Sequence, residues 1–308
     1  MNAVTARRAF VLCAALGTFA ACAFSQTEPA FRADTTLVLV PVTVTDPANR
    51  YVLGIPKESF HLYEDGVEQK VTHFSTEDAP LSVGLIVDVS GSMGLKLRLS
   101  SNAVNDFLKT MNSSDEAFLA EFSDQAEIVQ PFTHDMSLIG KKMEALTSGG
   151  LTAMLDAIHI SLDEMKKAGN PRKALIVISD GGDNHSRYNS GQIEQLVRQA
   201  DTQIFAMGVF EPAGPFGLTI AELDGPRLLS ELAEQTGGRA LAATSDRELP
   251  AIASRIGVEL RNQYVLAYSP TNHEHDGKYR KLEIKLDQPA ALPALKARWR
   301  LGYYAPSD

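Results

Sequence analysis

The chain has 308 residues, 44% of them hydrophobic and 22% charged, with a formal net charge of −9. That balance excludes a low-complexity or fibrous chain and suits two ordinary domains or one large one. An acidic chain also argues against a nucleic-acid partner, which needs a basic surface.

The first 25 residues differ from the rest. Arg7 and Arg8 precede an apolar stretch from Ala9 to Ala23 that ends in small residues. A basic start, a short apolar core and a small-residue boundary are the pattern of a secretory signal, so residues 1–25 are expected to direct export to the periplasm, outer envelope or exterior. A run of about 15 apolar residues is short for a membrane span, so no stable span is expected after cleavage. Thr5 to Leu12 resembles a twin-arginine motif, and Phe19 to Cys22 partly resembles a lipoprotein box. Phe fits that box poorly, which favours cleavage near Ser25 over anchoring at Cys22. Both cysteines, Cys13 and Cys22, lie in this segment. The mature chain is then free of disulfides, zinc thiolates and thiol nucleophiles. Loss of two Arg and no acid takes the charge from −9 to −11.

Residues 34–78 read as β structure. Thr36 to Thr45 mixes β-branched and apolar residues, and Pro41 favours an edge position. Phe60 to Tyr63 and Val67 to Phe74 make a hairpin around Asp65-Gly66. From residue 80 the period changes. A continuous apolar strand, 81–88, leads to a helix over 95–111, and a hairpin over 116–130 leads to a helix near 136–145. Helix 152–167 has an apolar face at Met154, Leu155, Ile158, Leu162 and Met165. Strand 174–179, helix 191–200, strand 203–209, helix 226–236, strand 239–243 and helix 246–260 follow. This alternation predicts an α/β domain over 80–261, a doubly wound, mostly parallel sheet. After residue 262 the period returns to two, with strands over 263–269, 279–286 and 294–301. Segments 34–78 and 262–308 are each too small for a secure core. They either combine into one antiparallel β-sandwich into which the α/β domain is inserted, or form two separate appendages flanking it.

Asp88, Ser90 and Ser92 follow strand 81–88 at alternate positions. The carboxyl edge of a parallel sheet is where ligands bind in open α/β folds. Hydroxyl and carboxylate oxygens suit Mg²⁺ or Mn²⁺ and suit zinc poorly. Neighbouring strand ends supply Thr152, just after Gly149-Gly150, and Asp180, which ends strand 174–179. Thr147 and Ser148 also carry hydroxyls but precede the glycine pair. An N-cap role explains Asp88 to Ser92 alone, but not Thr152 and Asp180 with them. Asp124 and Asp183 read as solvated loop acids, and His273 and His275 as surface residues in a polar turn. Trp299, Tyr303 and Tyr304 are expected to close the core of the β segments.

Asp88-x-Ser90-x-Ser92, Thr152 and Asp180-Gly181, with Ser179 to Asp183 and Leu232 to Gly238, resemble a von Willebrand factor type A (VWA) domain over roughly residues 80–261. The resemblance implies a Rossmann-like fold with a metal-ion-dependent adhesion site. It also implies that Ser90, Ser92 and Thr152 ligate the metal directly while Asp88 and Asp180 act mostly through waters. Leu151 between the glycines and Thr152 departs from the usual pattern. The flanking segments Val42 to Asp46, Phe60 to Gly66, Asn262 to Pro270 and Gly277 to Arg280 resemble an exported, largely acidobacterial group related to that family.

The resulting expectation is an exported, non-catalytic binding or adhesion module. Its Mg²⁺ or Mn²⁺ would take an Asp or Glu carboxylate from a partner protein, with loops 181–190 and 211–216 adding affinity. Two carboxylates make the bare site negative, so such a partner should bind poorly without metal. A structural envelope component stabilised by its metal is the alternative. A serine hydrolase is the remote one: Ser90 to Gly94 misses the nucleophile elbow by one residue, with Asp180 and either His185 or His273 as further members.

Overall fold

The computed structural model describes residues 37–307 except 77, 95, 181, 210–219, 244–247 and 288–293, and excludes the side chains of 209 and 220–223. Residues 1–25, expected to be an export signal, and the loop 211–216 lie outside the described residues. No helix among the described residues is long and apolar enough to cross a membrane.

The chain begins with β1 (Val38–Thr45), β2 (Phe60–Glu64), β3 (Val67–Gln69) and β4 (Val71–Ser75). The α/β part follows as β5 (Leu81–Asp88), α1 (Lys96–Leu108), β6 (Glu116–Phe122), β7 (Ala126–Thr133), α2 (Met136–Ala145), α3 (Met154–Met165) and β8 (Arg172–Ser179). It continues through α4 (Ser190–Gln199), β9 (Gln203–Val209), α5 (Ile220–Gln235), β10 (Ala240–Ala243) and α6 (Leu249–Arg261). The last strands are β11 (Tyr264–Tyr268), β12 (Tyr279–Leu286), β13 (Lys296–Trp299) and β14 (Gly302–Tyr304).

The central sheet has the order β10-β9-β8-β5-β6-β7. Only β7 runs antiparallel, paired to β6 as a hairpin. Every residue of β5 is buried, as a strand covered on both faces requires. One face carries α1, α2 and α6, through Val104, Phe107, Ile139, Met143 and Ile256. The other carries α3, α4 and α5, through Ile158, Leu162, Ile193, Val197 and Leu232. The chain moves outward from β5 to β6 in one direction and from β8 to β9 in the other. The switch point of this doubly wound sheet therefore falls between β5 and β8, whose carboxyl ends are where open α/β folds bind ligands.

The remaining strands form two antiparallel sheets, β13-β1-β11-β4 and β14-β12-β2-β3. One apolar cluster joins them, with Val40, Val42, Tyr264 and Leu266 from the first and Phe60, Leu62, Leu282 and Ile284 from the second. Burying a side chain of this size stabilises by about 1.5–3 kcal/mol. Glu64, Arg280, Tyr268 and Tyr303 form a polar knot inside this core. Tyr268 and Tyr303 donate to Glu64 Oε2 at 2.5 and 2.8 Å, and Arg280 Nη1 donates to Oε1 at 3.2 Å.

The structure departs from the sequence pattern at identifiable places. The hairpin segment 67–74 is not one strand: β3 and β4 separate at Lys70 and join different sheets. The strand expected over 294–301 is β13, Lys296–Trp299, and a further short strand, β14, follows it and joins the second sheet. Pro41 lies in an interior strand. However, β13 pairs only with Val42–Thr45, so β1 has a neighbour on one side alone at Pro41, which suits a residue without an N–H. Helix α5 runs back across Pro226 to Ile220, further than a proline at its start would suggest. Trp299 and Tyr303 pack on the core. Tyr304 instead meets Tyr279 edge-on, at 5.3 Å between ring centroids.

Two ionic clusters tie α6 to its surroundings. Glu259, fully buried, pairs with Arg239 before β10 and with Arg298 of β13 at 2.7 Å. Arg261 pairs with Asp115, which also accepts from the Leu81 N–H at 2.8 Å. The first strand and last helix of the α/β part thus share one carboxylate.

Candidate metal centre

Parallel pairing of β5 with β8 runs to Val87 opposite Ile178, so the next residues out, Asp88 and Ser179, stand side by side. Ser179 Oγ donates to Asp88 Oδ2 at 2.6 Å, and the Ser90 N–H donates to Oδ1 at 2.9 Å. Both carboxylate oxygens are thereby engaged below the surface, with Asp88 fully buried. Burial pushes the Asp88 carboxyl up to about 6; hydrogen bonds from Ser179 and Ser90 oppose that rise, and nearby Asp180 adds to it. Its geometry is that of a support that shapes the turn above it.

That turn carries the two serines. Ser90 Oγ and Ser92 Oγ lie 3.1 Å apart, Ser90 buried and Ser92 exposed. A short 3₁₀ turn over Gly91–Met93 follows, closed by the Met93 N–H on the Ser90 carbonyl, and buried Met93 anchors it. Two adjacent hydroxyls, one facing solvent, supply two oxygens of the hard-donor kind such an ion takes.

The loop that carries Thr152 is tied to this turn by backbone pairing. The Gly91 N–H donates to the Gly150 carbonyl at 3.0 Å, and the Gly149 N–H to the Val89 carbonyl at 2.8 Å. Gly150 has φ +83°, a left-handed conformation that lets its carbonyl face Gly91. Leu151 is then held by its N–H on Asp124 Oδ1 at 2.8 Å, its side chain 47% exposed at the rim. Thr152 itself is buried; its N–H donates to Asn184 Oδ1 at 2.9 Å, and its carbonyl accepts from the Asn184 and His185 N–H groups. The loops after β5, before α3 and after β8 are therefore hydrogen-bonded to one another.

Asp180, also buried, stands at the end of β8 and meets Lys96 Nζ at 3.3 Å. Asp124 and Asp183 are not simply solvated. Asp183 Oδ1 accepts from the Met154 N–H at 2.9 Å and from Ser186 Oγ at 2.6 Å, so it caps α3 from another loop. Asp156 accepts from the Arg187 and Tyr188 N–H groups, fixing the other side of that loop. Burial tends to raise the Asp156 carboxyl, but these bonds and the Arg187 guanidinium hold it below its ordinary value. Lys96 carries no motif signal of its own, and Ser179 belongs to the Ser179–Asp183 phrase without a ligand role assigned to it. The strand register and the helix start bring them in.

Residues 83–182 match the family model described as von Willebrand factor type A domain. The chain carries a domain of that type. An uncharacterised protein of Borreliella burgdorferi is 24% identical over 200 residues, 58% of each chain. The human voltage-dependent calcium channel subunit alpha-2/delta-2 is 24% identical over 168 residues, 50% of this chain and 14% of that subunit. The chain thus spans just over half of one relative and a small part of the other. Among solved structures, a von Willebrand factor type A protein from Catenulispora acidiphila covers 90% of this chain and 75% of its own, with a TM-score of 0.51 at 10% identity. That likeness concerns the fold.

Proposed function

We propose that this protein is an exported, non-catalytic binding module in which a divalent cation presents an open coordination position to a carboxylate of a partner protein. The observation that carries the reading is the serine pair, 3.1 Å apart, above buried Asp88 at the sheet's switch point, with the Thr152 loop hydrogen-bonded to it. These oxygens fit Mg²⁺ or Mn²⁺ in type. Ser90, Ser92 and Thr152 would hold the ion, with Asp88 and Asp180 behind them. The ion would supply orientation and a charge-assisted contact; Leu151 and the groove between α1 and α2, lined by Gly94, Arg98, Asn102 and Ser148, offer further contact surface. The match to a domain family with binding members supports the reading, as does a hydroxyl on Ser92 that pairs with Ser90 and not with an imidazole.

Titration calorimetry with Mg²⁺ and Mn²⁺ on the wild type and on Ser92→Ala tests the site. Micromolar to millimolar binding, weakened in the variant, is the expected result. Partner capture from envelope extract that is insensitive both to chelator and to Asp88→Ala would sink the adhesion reading.

A further inference from the structure

Lys96 is the first residue of α1, and its ammonium ion-pairs with Asp180 where both side chains are about nine-tenths buried. Local physics argues against a lysine in this position. Lysine is among the residues least often buried. A cation in the first turn of a helix also opposes the helix dipole. A residue that breaks two local preferences at the edge of a candidate site marks function more often than stability. Its other contacts do not explain it: the Lys96 carbonyl accepts from Ser100 Oγ at 3.1 Å, a bond that any residue there could make.

The charge count gives it a role. Asp88 and Asp180 with Lys96 leave a formal charge of −1, and a divalent ion takes this to +1. Without the lysine the same site would run from −2 to zero. The ammonium therefore acts in opposite directions on the two binding events, repelling the metal and attracting the carboxylate that follows it. Asp124 and Asp183 sit nearby but are bonded to backbone N–H groups, and their charge is the same with or without Lys96.

We propose that Lys96 is a charge-setting residue that holds metal affinity down and keeps the loaded site positive, which raises its affinity for an acidic partner. This rests on the metal-site reading above. The metal and the carboxylate still favour each other's binding by one common factor, and Lys96 shifts the two affinities in opposite directions around it.

The test uses the whole protein, Mn²⁺ as the metal and acetate as the carboxylate, read by water-proton relaxation and calorimetry at low salt. Lys96→Met keeps the apolar stem and removes the charge, while Lys96→Arg keeps the charge. The expected result is Mn²⁺ binding about tenfold tighter in Lys96→Met, with acetate binding to the loaded site several-fold weaker. Lys96→Arg should stay near the wild type in both. Lys96→Met that binds Mn²⁺ no tighter than a wild type which does bind it would overturn the inference and leave the site standing. If neither protein binds Mn²⁺, the site reading itself falls. A loss of folding by Lys96→Met, visible as a lost melting transition, moves the comparison to Lys96→Gln under the same criteria.

Discussion

Asp183 accepts a hydrogen bond from the Met154 N–H at 2.9 Å, so the loop after β8 caps a helix that begins on a different loop. The residue before that helix, Ala153, makes no side-chain cap of its own. Removing the distant carboxylate leaves the first turn of α3 unsatisfied. Asp183→Ala should therefore destabilise by about 1–2 kcal/mol, the range for a lost cap, while Asp183→Asn should lose less because an acceptor oxygen remains. Urea denaturation of the three proteins checks this ordering, and equal midpoints would contradict it.

Glu64 lies between Tyr268, Tyr303 and Arg280 in the core of the antiparallel sheets. Burial, with Glu64 beside them, drives both phenols above their ordinary range, so they remain donors throughout the accessible pH range. Glu64→Ala leaves two buried phenols without their acceptor and Arg280 with Asp276 at 3.7 Å as its remaining counter-charge, and should cost about 3 kcal/mol. Tyr303→Phe removes one bond and should cost about 1 kcal/mol. Thermal melts of both variants would show whether the order holds.

Gly150 combines a φ of +83° with Asp124 Oδ2 only 2.7 Å from where a Cβ would stand. Gly150→Ala adds conformational strain of about 1–2 kcal/mol and displaces the carboxylate that holds Leu151. Adding Asp124→Ala relieves the collision but not the strain, so the double variant should be more stable than additivity predicts. Metal affinity should fall in the single variant, because Thr152 follows directly on this turn.

His61 bridges Glu68 at 2.9 Å and Asp287 at 3.2 Å on the surface of the second antiparallel sheet. The hydrogen bond to Glu68, then that to Asp287, raises the imidazole above its ordinary value of 6.5. A raised base stabilises the folded state fully below 6.5, and that contribution is lost as pH rises through the folded value. The expected NMR titration of His61 has a midpoint above 6.5, and Glu68→Gln should bring it down. A midpoint unmoved by that change would exclude the pair.

Much of the fold can be read from period alone. The buried run 81–88 and the apolar face of 154–165 announce a covered parallel strand and its helix. Asp88 and Asp180 fall side by side because β5 and β8 are neighbours at the switch point, whereas Thr152 lies on the loop between α2 and α3, which no strand period locates. What escapes is whatever depends on register or on a second loop. Ser179 touches Asp88 only because β5 and β8 align as they do. Asp183 looks like any solvated acid until the N–H groups of α3 are placed above it, and Lys96 looks like any helix lysine until Asp180 is seen beside it. The break at Lys70 is invisible for a related reason: no local preference records that one continuous run serves two sheets.

The pairing of β1 with β11 also sets an order of events during synthesis. Gln263 Nε2 donates to Thr43 Oγ1 across 220 positions of sequence. The first strand must therefore wait, unpaired, while the whole α/β part emerges from the ribosome. Early folding of that part would draw its two ends together and reduce the loop-closure entropy of the late pairing. A slow or damaged α/β part would instead leave the apolar strand Val38–Thr45 exposed to other chains. Substitutions far from this strand, in the helices that cover the central sheet, would then act first on aggregation during synthesis and only later on the site.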